Sequence, residues 1–282
     1  IQRFHPMSKN TMGFHLPWAS VMDTGFVEYG ALTVLAGYSG HGKTEIVSQV
    51  VLSAAQQGVR ACVASLEFKA SKWLQRQTRQ AVRDPSPGPA TIRRAMAWMG
   101  ENIWAVDVYG GMKADRAVEV FEYAYRRYGV KLFVLDNLSK LGIADDDLPE
   151  QKRVINLFAE FAVRTNTHFI LVHHLRKVED DFSAGNKLSL KGSSAIGDMA
   201  DDIWLVLRNR KKEAMMMDPK FLALDDAKKD EIRKSPDTFL RCEKKRNGDE
   251  EPRLALYFDK ISHLWVETQG EPVPVYVPSV AV

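Results

Sequence analysis

Gly37-Tyr38-Ser39-Gly40-His41-Gly42-Lys43-Thr44 decides how this chain is read. The apolar run Leu32-Thr33-Val34-Leu35-Ala36 precedes it, and Glu45-Ile46-Val47-Ser48-Gln49-Val50-Val51-Leu52 follows with the pattern of a helix. Strand, glycine-rich turn and helix is the setting that G-x-x-x-x-G-K-[ST] needs to form a phosphate-binding loop. Gly37, Gly40 and Gly42 let the backbone curl until several N–H groups point inward at phosphate oxygens. The helix that begins near Lys43 adds the positive end of its dipole. Lys43 is placed to reach the β and γ phosphates, and the Thr44 hydroxyl to hold Mg²⁺. Gly37, Ser39, Gly40, His41, Gly42, Lys43 and Thr44 are therefore the candidate contacts for ATP or another nucleoside triphosphate.

Outward from this loop, strands and helices alternate. Residues 61–65 form an apolar run ending in Leu66-Glu67, residues 131–135 lead into Asp136, and residues 169–172 lead into His173-His174. Each reads as a buried parallel strand. Helices are expected over 70–82, 90–99, 114–128 and 149–165, with Val154, Leu157, Phe158 and Phe161 facing inward on the last. Another strand is expected over 203–207, then a charged, Met-rich helical insertion over 211–236. Strands over 238–243, 253–259 and 264–267 read as antiparallel, with Asn247-Gly248 as the first hairpin turn. The pattern implies an α/β fold with a mainly parallel central sheet flanked by helices and a C-terminal antiparallel edge. Residues 1–30 read as a linker or arm packed onto the core, 31–270 as the ATPase domain, and 271–282 as an extended tail.

Composition sets outer bounds. The 282 residues are 45% hydrophobic and 27% charged, with a formal net charge of +3. These are ordinary values for a globular chain and neither demand nor exclude nucleic acid. No apolar stretch approaches a membrane span, and no secretory signal is visible. Cys62 and Cys242 sit inside apolar runs and read as buried free thiols, as in a reducing cytoplasm. The chain starts at Ile1, so a fragment or processed chain is expected.

In parallel sheets ligands gather at the carboxyl ends of strands. Glu67, Asp136 and His174 should therefore share an edge with the glycine loop. Asp136 reads as the acid that organises Mg²⁺. Glu67 is a candidate base for the attacking water. His174 is suited to sensing the γ-phosphate, whereas His173 points to the opposite face as a core residue. Lys244-Lys245-Arg246 reads either as a solvated basic turn or as a finger offered to a neighbour's nucleotide.

Taken together, these residues resemble the RecA-type motor domain of hexameric replicative helicases: the DnaB family, phage primase–helicases and the mitochondrial helicase Twinkle. The matching pieces occur in family order. After the glycine loop come Ser65-Leu66-Glu67, Leu135-Asp136-Asn137-Leu138 and His174-Leu175-Arg176-Lys177. Gly192-Ser193-Ser194-Ala195, Ala200-Asp201 and Lys244-Lys245-Arg246-Asn247-Gly248 follow. The resemblance implies a RecA-like P-loop NTPase in which Glu67 is the base, His174 the sensor, and Lys244 with Arg246 the trans-acting finger pair. It also implies nucleotide contacts at Arg208 and Phe258, and single-stranded DNA contacts after His174 at Lys177, Lys187 and Lys191. Two departures stand out: 145–147 is acidic in the other expected DNA loop, and Asp198 stands where relatives often carry Gln. The family further implies an ATP-driven hexameric ring, a primase domain or partner, and a cytoplasmic location, bacterial or, for a phage- or plasmid-encoded chain, that of the host. The rival readings are a RecA-like recombination or repair ATPase and a KaiC-like regulatory ATPase.

Overall fold

The computed structural model describes residues 12–21, 26–108, 110–144, 146–176, 186–192, 194–247 and 250–277. The glycine loop leaves the end of β3 (Ala31–Gly37), after a short strand pair, β1 (Gly13–His15) and β2 (Phe26–Glu28). Helix α1 (Lys43–Gln56) follows it. Next come β4 (Ala61–Ser65), α2 (Ala70–Val82), α3 (Pro89–Asn102) and β5 (Ile103–Ala105). The chain continues through α4 (Ala114–Tyr128), β6 (Leu132–Asp136), α5 (Leu148–Thr165) and β7 (His168–His174). A short helix α6 (Ser194–Met199) precedes β8 (Asp202–Arg208). Helices α7 (Arg210–Met217) and α8 (Asp226–Lys234) fill the charged insertion. Strands β9 (Thr238–Lys245), β10 (Arg253–Asp259) and β11 (Leu264–Val266) complete the fold.

Nine strands form one sheet in the order β11-β10-β9-β8-β3-β7-β6-β4-β5. The six from β8 to β5 run parallel, and β9, β10 and β11 extend the sheet antiparallel. Alternate side chains feed two cores, as the period of a strand requires. On β6, Leu132 and Val134 face one core with α1, α2 and α3, while Phe133 and Leu135 face the other with α4 and α5. The second core is aromatic: Phe158 stacks on Phe169 at 4.6 Å, and Phe133 meets Phe161 edge-on at 5.0 Å.

The structure adds detail to the two ends of the sequence reading. The leading segment is more than a linker, because β1 and β2 pair and bury Phe14, Trp18 and Val27 in the same core as α1. Its strands are three residues each, too short to show a period in sequence. The tail also docks: the carbonyls of Val273 and Val275 accept from Arg83 and Gln56, and Tyr276 is buried. Gly248 of the expected hairpin turn lies outside the described residues, although β9 and β10 pair as foreseen.

His168 ties the strand pair to the sheet. Its Nδ1 lies 2.7 Å from the Glu28 carbonyl and its Nε2 3.0 Å from the Thr33 hydroxyl, so the first donates and the second accepts. Burial, opposed by the Glu28 bond, drives its pKa down from 6.5 to about 4. The unfolded chain then binds the extra proton first as pH falls, so stability is full above the unfolded value and is lost from pH 6.5 toward 4. Urea unfolding across this window should show a stability loss on the order of 3 kcal/mol from this group, and His168→Gln should flatten that slope.

Candidate active site

Strand register gathers the site. Gly37 pairs with His174 across β3 and β7, and Asp136 pairs with Val172 on β7 and with Ser65 on β4. The glycine loop, His174, Asp136 and the segment carrying Glu67 thus emerge along one edge of the sheet. The loop backbone takes the positive φ that the glycines were expected to supply, 76° at Gly40 and 88° at Gly42. Gly37 answers a different need: a Cβ there would stand 2.6 Å from the Val206 carbonyl.

Lys43 is buried beneath the loop. Its ammonium donates to the carbonyls of Gly37 and Tyr38, both at 2.9 Å, and lies 3.3 Å from His174 Nδ1. Burial lowers its pKa, because desolvation disfavours the charged form. Thr44 donates its hydroxyl to Asp136 Oδ2 at 2.9 Å. Burial pushes the Asp136 carboxyl up to about 6, against the pull of that hydroxyl. A buried lysine under a curl of N–H groups fits a polyphosphate, and a buried carboxylate beside a threonine hydroxyl fits a hard divalent cation. Among the described residues no cluster of His, Cys, Asp and Glu forms a metal cage. Thr44 and Asp136 would hold Mg²⁺ together with nucleotide oxygens, and the ion would neutralise phosphate charge there.

Glu67 and His174 stand on the other side of Lys43. Their carboxylate and imidazole are 3.8 Å apart. Asn137, to which the sequence reading assigned no role, joins them: its Nδ2 lies 2.6 Å from Glu67 Oε1 and 2.9 Å from His174 Nε2. In sequence Asn137 looks like an ordinary turn residue after a strand; only its place at this edge marks it.

His173 is buried on the opposite face, as its alternation implied, and donates Nε2–H to the Lys191 carbonyl at 2.6 Å. The Lys191 N–H donates back to the His174 carbonyl at 3.0 Å. The segment carrying Lys191 is thereby hydrogen-bonded to the strand end that carries His174. Lys177 lies outside the described residues. Lys187 lines a cavity of about 220 Å³ together with Arg176 and Lys244.

The residues assigned to the nucleotide's outer parts gather around the loop. The Arg208 guanidinium donates to the Gly40 carbonyl at 3.2 Å and pairs with Glu213, and its backbone N–H donates to His41 Nδ1 at 3.1 Å. Burial lowers the His41 pKa to about 4, so the ring is neutral, and its Nδ1 also lies 3.3 Å from the Val206 carbonyl. Phe258 packs on Trp265, ring centres 4.8 Å apart. The Trp265 ring in turn lies 3.0 Å from where a Cβ on Gly42 would stand, one aromatic layer between Phe258 and the loop. Gln49 of α1 holds Trp265 by both its backbone N–H and its carbonyl, at 2.8 and 2.9 Å.

Lys244 and Arg246 are elsewhere. Antiparallel β9 pairs Lys244 with Ile203 and Lys245 with Asp202, at the start of β8, whereas Arg208 at its end adjoins the loop. Gly37 pairs with Val206 and the Arg246 N–H bonds the Asp201 carbonyl, so at about 3.3 Å per residue Lys244 lies roughly 10 Å and Arg246 roughly 16 Å back along the strands from the start of the glycine loop. Lys244 donates to the carbonyls of Gly197 and Asp198, both at 2.9 Å, and Arg246 pairs with Asp201 at 2.7 Å.

A Cβ at Gly37 meets backbone rather than a flexible side chain, so Gly37→Ala should cost about 1–3 kcal/mol in thermal unfolding and weaken binding of a fluorescent nucleotide. Gly100→Ala, in a helix with open space around it, should be neutral or stabilising by up to about 1 kcal/mol.

Comparison with known proteins agrees with this geometry. An AAA domain family model matches residues 16–180. The ATPase domain of G40P superposes with a TM-score of 0.67 at 16% identity, covering 85% of each chain. A DnaB-like replicative helicase, solved for its interactions with primase, superposes with a TM-score of 0.66 at 15% identity. That match covers 84% of this chain but 57% of the helicase chain. The fold is thus the RecA-like one of replicative helicase ATPase domains, and the chain belongs to the AAA domain family.

Proposed function

We propose that this chain is an ATP-driven, ring-forming DNA helicase motor, with nucleotide sites shared between neighbouring copies. The observation that carries the reading is a division of labour across the sheet. Lys43, Thr44, Asp136, Glu67 and His174 meet at one edge, and Lys244 and Arg246 stand at the other. A finger held by Gly197, Asp198 and Asp201, set back along the strands from its own loop, is suited to another subunit's nucleotide. The Arg246 side chain is half exposed, and its pair with Asp201 is the kind worth about 0–1 kcal/mol. Releasing it toward a neighbour therefore costs little.

In this reading Glu67 orients the attacking water and takes its proton, and Lys43 with His174 steadies the γ-phosphate. Arg208 and Phe258 flank the outer nucleotide. The segment carrying Lys187 and Lys191, together with Lys177, contacts single-stranded DNA through its phosphates. The bonds from Lys191 to His173 and His174 give hydrolysis a path to that segment. The likeness to a helicase solved for its primase interactions supports a replicative setting with primase as a partner. Among the described residues no helix is long and apolar enough to cross a membrane.

ATP hydrolysis should rise with single-stranded DNA, and a forked duplex should be unwound. Stimulation without strand separation would instead indicate a recombinase-like filament. Lys43→Ala should abolish turnover, and normal turnover would refute the reading. Arg246→Ala and Glu67→Ala should each be inactive alone, while mixed rings regain ATPase activity because some interfaces recover one intact base and one intact finger.

A further inference from the structure

We infer that Asn137 is a positioning residue that sets base and sensor together, giving one amide N–H to the Glu67 carboxylate and the other to His174. The inference rests on the proposed roles of those two residues. The orientation of the amide follows from its other end. The Ser139 backbone N–H donates to Asn137 Oδ1 at 3.1 Å, and the Ser139 hydroxyl points at the same oxygen. A backbone N–H is only ever a donor, so the atom facing it is the amide oxygen. The nitrogen therefore faces Glu67 Oε1 at 2.6 Å and His174 Nε2 at 2.9 Å, with one hydrogen for each. Asn137 is 0% exposed, so water does not compete for these bonds.

The consequence for His174 is chemical. Nε2 must accept, so in the neutral ring the proton sits on Nδ1. That nitrogen lies 3.3 Å from Lys43 Nζ. Two N–H donors side by side do not bond to one another; they suit one anionic oxygen that takes both. Asn137 thus makes His174 a donor directed at the oxygen Lys43 would hold. The other tautomer would set Nε2–H against the Asn137 N–H, with the nearby Glu67 Oε1 at 3.8 Å, beyond hydrogen-bond reach. For Glu67 the same amide fixes the carboxylate through Oε1 and leaves the second oxygen for water. Base and sensor hang on one side chain, so a change at the phosphate reaches the base through a single amide.

Asn137→Asp keeps an acceptor for Ser139 but loses both donors, Asn137→Ala loses all three contacts, and Ser139→Ala leaves both donors in place. In the full chain, both Asn137 variants should lose about 10- to 100-fold in kcat. Their KM for ATP and thermal midpoint should stay near the wild type, and Ser139→Ala should turn over normally. Nitrogen-15 histidine spectra of the wild type should show the His174 proton on Nδ1. An Asn137 variant with wild-type kcat, a loss confined to KM, or a proton found on Nε2 overturns the inference. Glu67→Gln, run in parallel, separates the two levels. If it is inactive while the Asn137 variants are active, only the Asn137 role fails; if it turns over normally, the base assignment fails and this inference with it.

Discussion

Hydrogen-bond register between parallel strands is the constraint on which the site depends. Gly37 faces His174, and Asp136 faces both Val172 and Ser65, because β3, β7, β6 and β4 pair in fixed alignment. A slip of one residue would turn every side chain on a strand to the other face. It would turn Asp136 and His174 away from the glycine loop and drive Phe133 or Phe169 out of the aromatic core. The same packing that stabilises the sheet therefore aligns its chemistry. The strand order adds a second consequence: β7 lies between β3 and β6. His174 accordingly stands between Lys43 on one side and the Asn137–Glu67 pair on the other, where one ring contacts both.

Burial makes this edge a poor place for unpaired charge. It pulls the Lys43 ammonium down and the Asp136 carboxyl up to about 6, opposite shifts from the same desolvation. Neither group pairs directly with the other. Lys43 leans on two carbonyls and Asp136 on the Thr44 hydroxyl. Such substitutes satisfy geometry but not charge, so each group gains most from a counter-charge brought in by ligand: phosphate for the lysine, a divalent cation for the aspartate. Local stability is given up where binding restores it, as is usual at functional sites.

Other residues that look functional in sequence have structural work. In the acidic run at 145–147, Asp147 accepts from the Glu150 N–H and caps α5. His173 and His174 are neighbours in sequence with separate tasks, one bonded to Lys191 and the other to the active site. Trp265, on a strand whose alternation suggests only core, supports the glycine loop through Gly42 while Gln49 grips its backbone.

By itself the sequence determined the strand–loop–helix unit, the alternation that makes a parallel sheet, and the strand-end positions of Glu67, Asp136 and His174. These are local properties: glycine freedom, the period of apolar residues, and the rule that parallel strands present their carboxyl ends together. Tertiary structure alone decided the partners. That Asn137 bridges Glu67 and His174, that Lys191 is tied to both histidines, and that Lys244 and Arg246 lie across the sheet from their own loop all depend on strand order and register. Those are set by long-range pairing between segments far apart in the chain, which no short window of sequence encodes. The short β1–β2 pair was hidden for the same reason, since its three-residue strands are defined by the core they cover rather than by any period of their own.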